Sequence, residues 1–241
     1  MSRSCPQPDG ISLGGKQRLA LDHPDHVYEL PKSLAEISGL TLLDEFHLGA
    51  IDDESSKLFV IDHRSGEVID RRRVGNGKRL DYEAVERVGD TVYVLSSAGT
   101  IYEIRDWKNN KRTTARYETG LYSRNDNEGL AYDATNHRLL IACKEYPGKD
   151  MKGYKTVYAF DLESGRLLPK PVFKIDLAQA EVAANSGSDT DAASRNKKKG
   201  WWKHTKQIKP DALAVHPLTQ QLFIIPSAKR RLIVLTSDGS L

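Results

Sequence analysis

A short unit, a polar residue followed by Gly or Ala and then an alternating apolar run, recurs four times in this chain of 241 residues. The copies are Ser38-Gly39-Leu40-Thr41, Glu83-Ala84-Val85-Glu86, Glu128-Gly129-Leu130-Ala131 and Asp211-Ala212-Leu213-Ala214. The first three lie 45 residues apart and the fourth follows after 83, close to two such periods or one period plus an insertion. A period of ~40–50 residues is the usual length of a four-stranded propeller blade.

Further strand-like runs rich in β-branched and aromatic residues follow each unit: Leu58–Asp62, Thr91–Leu95, Arg138–Ala142 and Gln221–Ile225. Turn signals separate the runs at Arg64-Ser65-Gly66, Val88-Gly89-Asp90, Glu163-Ser164-Gly165 and Ser237-Asp238-Gly239. Helix periodicity over more than three turns is absent outside residues 177–185, so an α/β fold with helices between its strands is excluded. Two packed sheets of immunoglobulin type remain open, but they do not require the period. The expected class is therefore all-β, a β-propeller of four-stranded blades. The best-formed repeat predicts strands over Glu128–Asp133, Arg138–Lys144, Thr156–Leu162 and Lys170–Ile175. The last repeat shows only three runs, and because an unpaired edge invites aggregation, His26–Leu30 is expected to supply its missing outer strand.

Residues 22–241 form the expected propeller domain, preceded by a loose tail over 1–21 and interrupted by a charged mobile loop over 184–208. Charge is concentrated in that interruption. Arg195, Lys197, Lys198, Lys199, Lys203, Lys206 and Lys209 are seven positives with no acid among them, so the net charge of +3 belongs to one segment and the rest is slightly acidic. Together with Trp201 and Trp202 the segment suits peripheral contact with an anionic surface through residues 195–209, whereas the acidic remainder argues against nucleic acid. No stretch reaches the ~18–20 apolar residues of a spanning helix, and Met1–Leu21 lacks the apolar run of a secretory signal. Cys5 and Cys143 are too few for a disulfide framework or a four-thiolate zinc site, and Cys143 reads as a core residue.

The combination of Leu34-Ala35-Glu36-Ile37-Ser38-Gly39-Leu40, Asp81-Tyr82-Glu83-Ala84-Val85, Asn127-Glu128-Gly129-Leu130-Ala131-Tyr132-Asp133 and Ala214-Val215-His216-Pro217-Leu218-Thr219, with Ser96-Ser97-Ala98-Gly99-Thr100-Ile101-Tyr102 between, resembles the SdiA-regulated, YjiK-like family of bacterial propeller domains. The resemblance covers roughly residues 22–241. It implies six blades, a further repeat beyond Leu241, no settled biochemical activity, and a place in the cell envelope or periplasm if an export signal has been removed.

Propeller inner strands surround a channel, so Ser38, Glu83, Glu128 and Asp211 are expected to converge on one axis. Three carboxylates facing a common space repel unless protons or a cation intervene, which makes Glu83, Glu128 and Asp211 candidate ligands for Ca²⁺. The competing reading is that each caps backbone N–H groups in its own blade. Ser38, Asp53, Ser96 and Lys144 are candidates for the surrounding ligand surface, although the Asp52-Asp53-Glu54 triplet is equally a solvated turn. Asp22-His23-Pro24-Asp25-His26 has metal-ligand residue types in an unsuitable extended setting. No Gly-x-Ser-x-Gly occurs, and His63, His137 and His216 lack nucleophile partners, so a hydrolase triad is unsupported. The expected function is a non-catalytic binding module for a small-molecule, polymer or protein ligand, with a divalent cation near the channel. The alternative is a metal-dependent esterase, lactonase or phosphatase of the propeller type.

Overall fold

A computed structural model describes residues 26–75, 80–109, 113–180, 208–227 and 232–240. The expected tail, most of the charged loop and the Asp22–Asp25 portion of the histidine-containing motif lie outside these residues. Four antiparallel sheets follow one another in a ring, one sheet per repeat. The first contains β1 (Ile37–Leu42), β2 (His47–Asp52), β3 (Lys57–Asp62) and β4 (Glu67–Arg73), and the second β5 (Tyr82–Val88), β6 (Thr91–Ser96), β7 (Thr100–Arg105) and β8 (Thr113–Glu118). The third contains β9 (Asn127–Asp133), β10 (Arg138–Cys143) and β11 (Tyr154–Asp161), with β12 (Arg166–Leu167) and β13 (Phe173–Asp176) both paired to β11. The fourth contains β14 (Pro210–Val215), β15 (Leu222–Pro226) and β16 (Ile233–Leu235). The described residues thus form four blades where the resemblance implied six, because each visible repeat supplies one.

Neighbouring blades bury their facing sides against one another, which explains why the second strands of the middle blades read as continuous apolar runs. On β6, Val92 and Val94 join Ile51, Leu58, Tyr82 and Trp107 between the first two blades, while Tyr93 and Leu95 join Leu130, Leu139, Ile141 and Phe160 between the second and third. On β10, Leu139 and Ile141 face one neighbour; Leu140 and Ala142 face Leu222, Ile224 and Leu235 of the other. Each large side chain so enclosed contributes roughly 1.5–3 kcal/mol of burial. The innermost strands approach closely because the repeated residue is small. A Cβ on Gly39 would lie 3.0 Å from Ala84 Cα and Val85 N on β5, and one on Gly129 would lie 2.7 Å from Leu213 Cγ on β14.

The run Leu58–Asp62 lies in the third strand of its blade, and the second is His47–Asp52, whose apolar signal is diluted by Gly49, packed under Leu43. Two expectations need correction. The outer strand of the third blade is split into β12 and β13, since Pro169 and Pro171 lack N–H donors. His26–Leu30 forms no strand and does not pair with β16. Instead Tyr28 crosses the β3–β4 tip, its hydroxyl donating to Arg64 O at 2.8 Å and its ring packed against Gly66. The following 3-10 turn, Lys32–Leu34, buries Leu34 against Ala50, Phe59 and Ile61 on the outward face of the first blade.

Candidate functional site at one end of the channel

The four repeated polar residues share a backbone feature that no sequence pattern announces. In β1 the pairing to β2 passes from Ile37 to Gly39, in β5 from Tyr82 to Ala84, in β9 from Asn127 to Gly129, and in β14 from Pro210 to Ala212. Ser38, Glu83, Glu128 and Asp211 are therefore the extra residues of four equivalent β-bulges, the device that re-aims a side chain out of the ladder. A second recurring bond fixes the strand opposite. The residue after each second strand donates its N–H to the carbonyl two residues before the bulge: Ser97 to Asp81 at 2.9 Å, Lys144 to Asp126 at 2.8 Å and Ser227 to Lys209 at 3.0 Å. Asp53 holds the corresponding place in the first blade.

These positions meet in the third and fourth blades. Lys144 Nζ donates to Glu128 Oε1 at 2.9 Å and to Asp211 Oδ1 at 3.0 Å, joining carboxylates of two blades through one ammonium. Burial alone would lower the Lys144 pKa, but its hydrogen bonds and attraction to these acids outweigh burial and hold it above the usual lysine range. Lys144 also attracts Glu83, but without an ion pair among the described residues Glu83 is not compensated in the same way. Its burial, the negative charge of Glu128 and the nearby Asp81 raise its pKa to about 8, so near neutrality it is largely protonated. Asp81 in turn accepts a 2.6 Å bond from Ser97 Oγ.

The surroundings hold Lys144 in place, and sequence reading missed them. Lys155 on β11, almost fully buried, donates to the carbonyls of Lys144 and Glu145, while Lys209 pairs with the Glu145 carboxylate. Asn125 Nδ2 donates to Tyr146 O at 2.8 Å within the third blade, and Asn127 Nδ2 donates to Ser97 O at 2.7 Å, tying the third blade to the second. The Asp-x-Glu spacing of Asp81 and Asp126 before their bulges was the available signal for part of this shell. Lys209, grouped by sequence with the basic run, belongs here.

The first blade is different. Ser38 is half-buried on β1, and Asp53 Oδ1 is buried without a hydrogen-bond partner among the described residues. Asp52 shapes the turn, accepting from Ser55 N–H at 2.8 Å and Ser55 Oγ at 2.5 Å. Ser96 accepts the Thr100 N–H at 3.2 Å inside the β6–β7 turn, so Ser97, not Ser96, shares the register of Asp53 and Lys144. His63, His137 and His216 each bond within or beside a turn, to Glu45 O, Tyr132 Oη and the Leu218 and Thr219 N–H groups. Among the described residues no three His, Cys, Asp or Glu side chains are arranged to hold a metal ion. As the side chains stand, the residues do not fit a divalent ion, because the Lys144 ammonium already bridges two of the three expected ligands.

Similar solved structures include a streptogramin B lyase at 10% identity, covering 85% of this chain and 52% of that one, with TM-score 0.50. The glutaminyl cyclase of Myxococcus xanthus matches at 12% identity over 82% of this chain and 71% of its own, with TM-score 0.53. A catalytically inactive virginiamycin B lyase from Staphylococcus aureus, solved with quinupristin, matches at 13% over 88% and 56%, with TM-score 0.51. The chain thus spans about half the length of the two lyases, and at these identities the likeness shows the fold alone. Comparison with curated proteins found no match. The SdiA-regulated family profile matches residues 16–241, spanning all four bulged repeats and the strands that present them. A propeller whose blades each carry this bulge, matched over nearly its whole length by that profile, belongs to the SdiA-regulated family.

Proposed function

We propose that the chain is a non-catalytic propeller binding module whose ligand is polar and bears hydrogen-bond donors, hydroxyl or amine, and docks at the channel end formed by Glu83, Glu128, Asp211 and Lys144. The observation that carries this reading is the delivery of acids from three blades to equivalent bulges, with one lysine between two of them. Acids outnumber the ammonium, so the site favours donors and cations over anions. Ca²⁺ enters as a competitor of Lys144 for the same oxygens, not as a resident ion.

Thermal unfolding in chelator, in millimolar Ca²⁺ and in a short alkyl diamine tests the reading, because a ligand of the native state raises Tm as its concentration rises. A rise that disappears in Glu83→Gln and Glu128→Gln supports it. The Ca²⁺ part predicts a larger rise in Lys144→Met, where the competing ammonium is gone. Curves that superimpose across chelator, Ca²⁺ and diamine, in the wild type and in Lys144→Met alike, overturn the site.

A catalytic reading has one observation in its favour, the Glu83 carboxyl that titrates near neutrality, as a general acid does. The lyase and cyclase among the similar propellers establish that such rings can host enzymes. Glu83-dependent turnover of a chromogenic ester, lactone or phosphate supports that alternative; turnover unchanged in Glu83→Gln removes it.

A further inference from the structure

A cleft of about 370 Å³ opens on the outward side of the first blade, between the 3-10 turn at Lys32–Leu34 and the β2–β3 connection. Phe59 forms its floor and carries the Arg71 guanidinium 5.8 Å above its ring centre. Lys32, Lys57 and Arg71 supply three cations around this floor, and Glu36 and Glu54 supply two anions. Asp52 also lines the cleft, but its carboxylate is engaged by Ser55.

At several other places on the blades opposite charges close on one another, as in Arg64–Asp62, Arg105–Glu103, Arg116–Glu118 and Arg138–Asp133. In the cleft none of the five forms an ion pair among the described residues, although both signs line one concavity. A ligand carrying both charges would complete the missing pairs, and an Arg–carboxylate contact is among the stronger ones available to it. The volume lies toward the lower end of the ~300–1,000 Å³ typical of small-molecule sites.

We propose that this cleft is a second ligand site, distinct from the channel end, that takes a small zwitterion of amino-acid to dipeptide size. The carboxylate sits toward Arg71 and Lys57, and the ammonium toward Glu36 and Glu54.

The test is a titration of ¹⁵N-labelled protein with alanylalanine, its N-acetyl form and its C-terminal amide, followed by amide chemical shifts. Saturable shifts at residues 32–36, 54–57 and 71 are expected with the free dipeptide, with affinity about tenfold weaker in Arg71→Gln and in Glu36→Gln. Either blocked form should bind more weakly by a similar factor. Both side chains are exposed, and unchanged amide positions elsewhere confirm that each variant is folded. No shifts at tens of millimolar dipeptide, or equal binding of the blocked forms, overturns the proposal. Shifts confined to Ser97 and Lys144 also overturn it and favour the channel end instead, so this inference and the channel reading fail separately.

Discussion

The first and third blades present the same bulge with opposite chemistry. In the third, Glu128 at the bulge and Lys144 opposite close an ion pair that extends to Asp211 of the next blade. In the first, Ser38 and Asp53 hold the same two places, with no ion pair between them and one buried carboxylate oxygen that has no hydrogen-bond partner among the described residues. Backbone register thus builds the positions, and side-chain identity decides whether they form a charged centre. Removing the charges should therefore be costly in one blade and nearly silent in the other.

Lys144→Met should have the largest effect. It strands Glu128 and Asp211, and since these side chains keep some solvent contact, a loss of about 2 kcal/mol in urea-unfolding free energy at pH 7 is expected, below the value for fully buried pairs. Adding Glu128→Gln to that variant should recover part of the loss, giving a coupling energy of roughly 1 kcal/mol in a double-mutant cycle. Additive effects would mean that the pair is not a unit.

The pH dependence follows from Glu83. Its folded pKa of about 8 exceeds the ordinary value of 4.5, so between these limits the native state binds more protons than the unfolded chain. Stability should consequently fall as pH rises from about 5 to 8, with a slope of at most about 1.4 kcal/mol per pH unit from this one group. Glu83→Gln should flatten that part of the curve. An unchanged slope would show that Glu83 is ionised in the native state.

Grafting the third-blade pair onto the first, as Ser38→Glu with Asp53→Lys, should leave the fold intact and give a coupling of at most about 1 kcal/mol. The smallest effect belongs to Asp53→Ala, expected within about 0.5 kcal/mol of wild type or slightly stabilising, because the substitution removes a buried oxygen that has no partner. A loss above 2 kcal/mol would show that Asp53 holds a group essential to the first blade and break the contrast.

The period of 45 residues, the small residue after each bulge and the apolar second strands of the second, third and fourth blades were legible in the sequence, because each reflects a local requirement. A strand buried on both faces must be apolar throughout, and closely approaching inner strands require Gly or Ala. The convergence of Glu128 and Asp211 was also expected from the repeat. Lys144 was expected to belong to a ligand surface, not to be the partner of both acids. That partnership depends on a bulge in β9 and another in β14, which turn residues 83 positions apart toward one ammonium.

Other features depended on competition between distant segments. Val27–Leu30 alternates like a strand, yet Tyr28 finds its partner at the β3–β4 tip and Leu34 is buried against the first blade; the alternation could not show which of these contacts would win. Lys155 stands just ahead of the expected Thr156–Leu162 strand, and only the fold places its ammonium beneath the carbonyls of residues 144 and 145. The sequence by itself determined the blade, because strand period and turn chemistry act over a few residues. Tertiary structure alone decided which charges were paired, which carboxyl kept its proton and which face residues 26–34 covered, because burial and Coulomb interactions depend on distances in space that the order of residues does not encode.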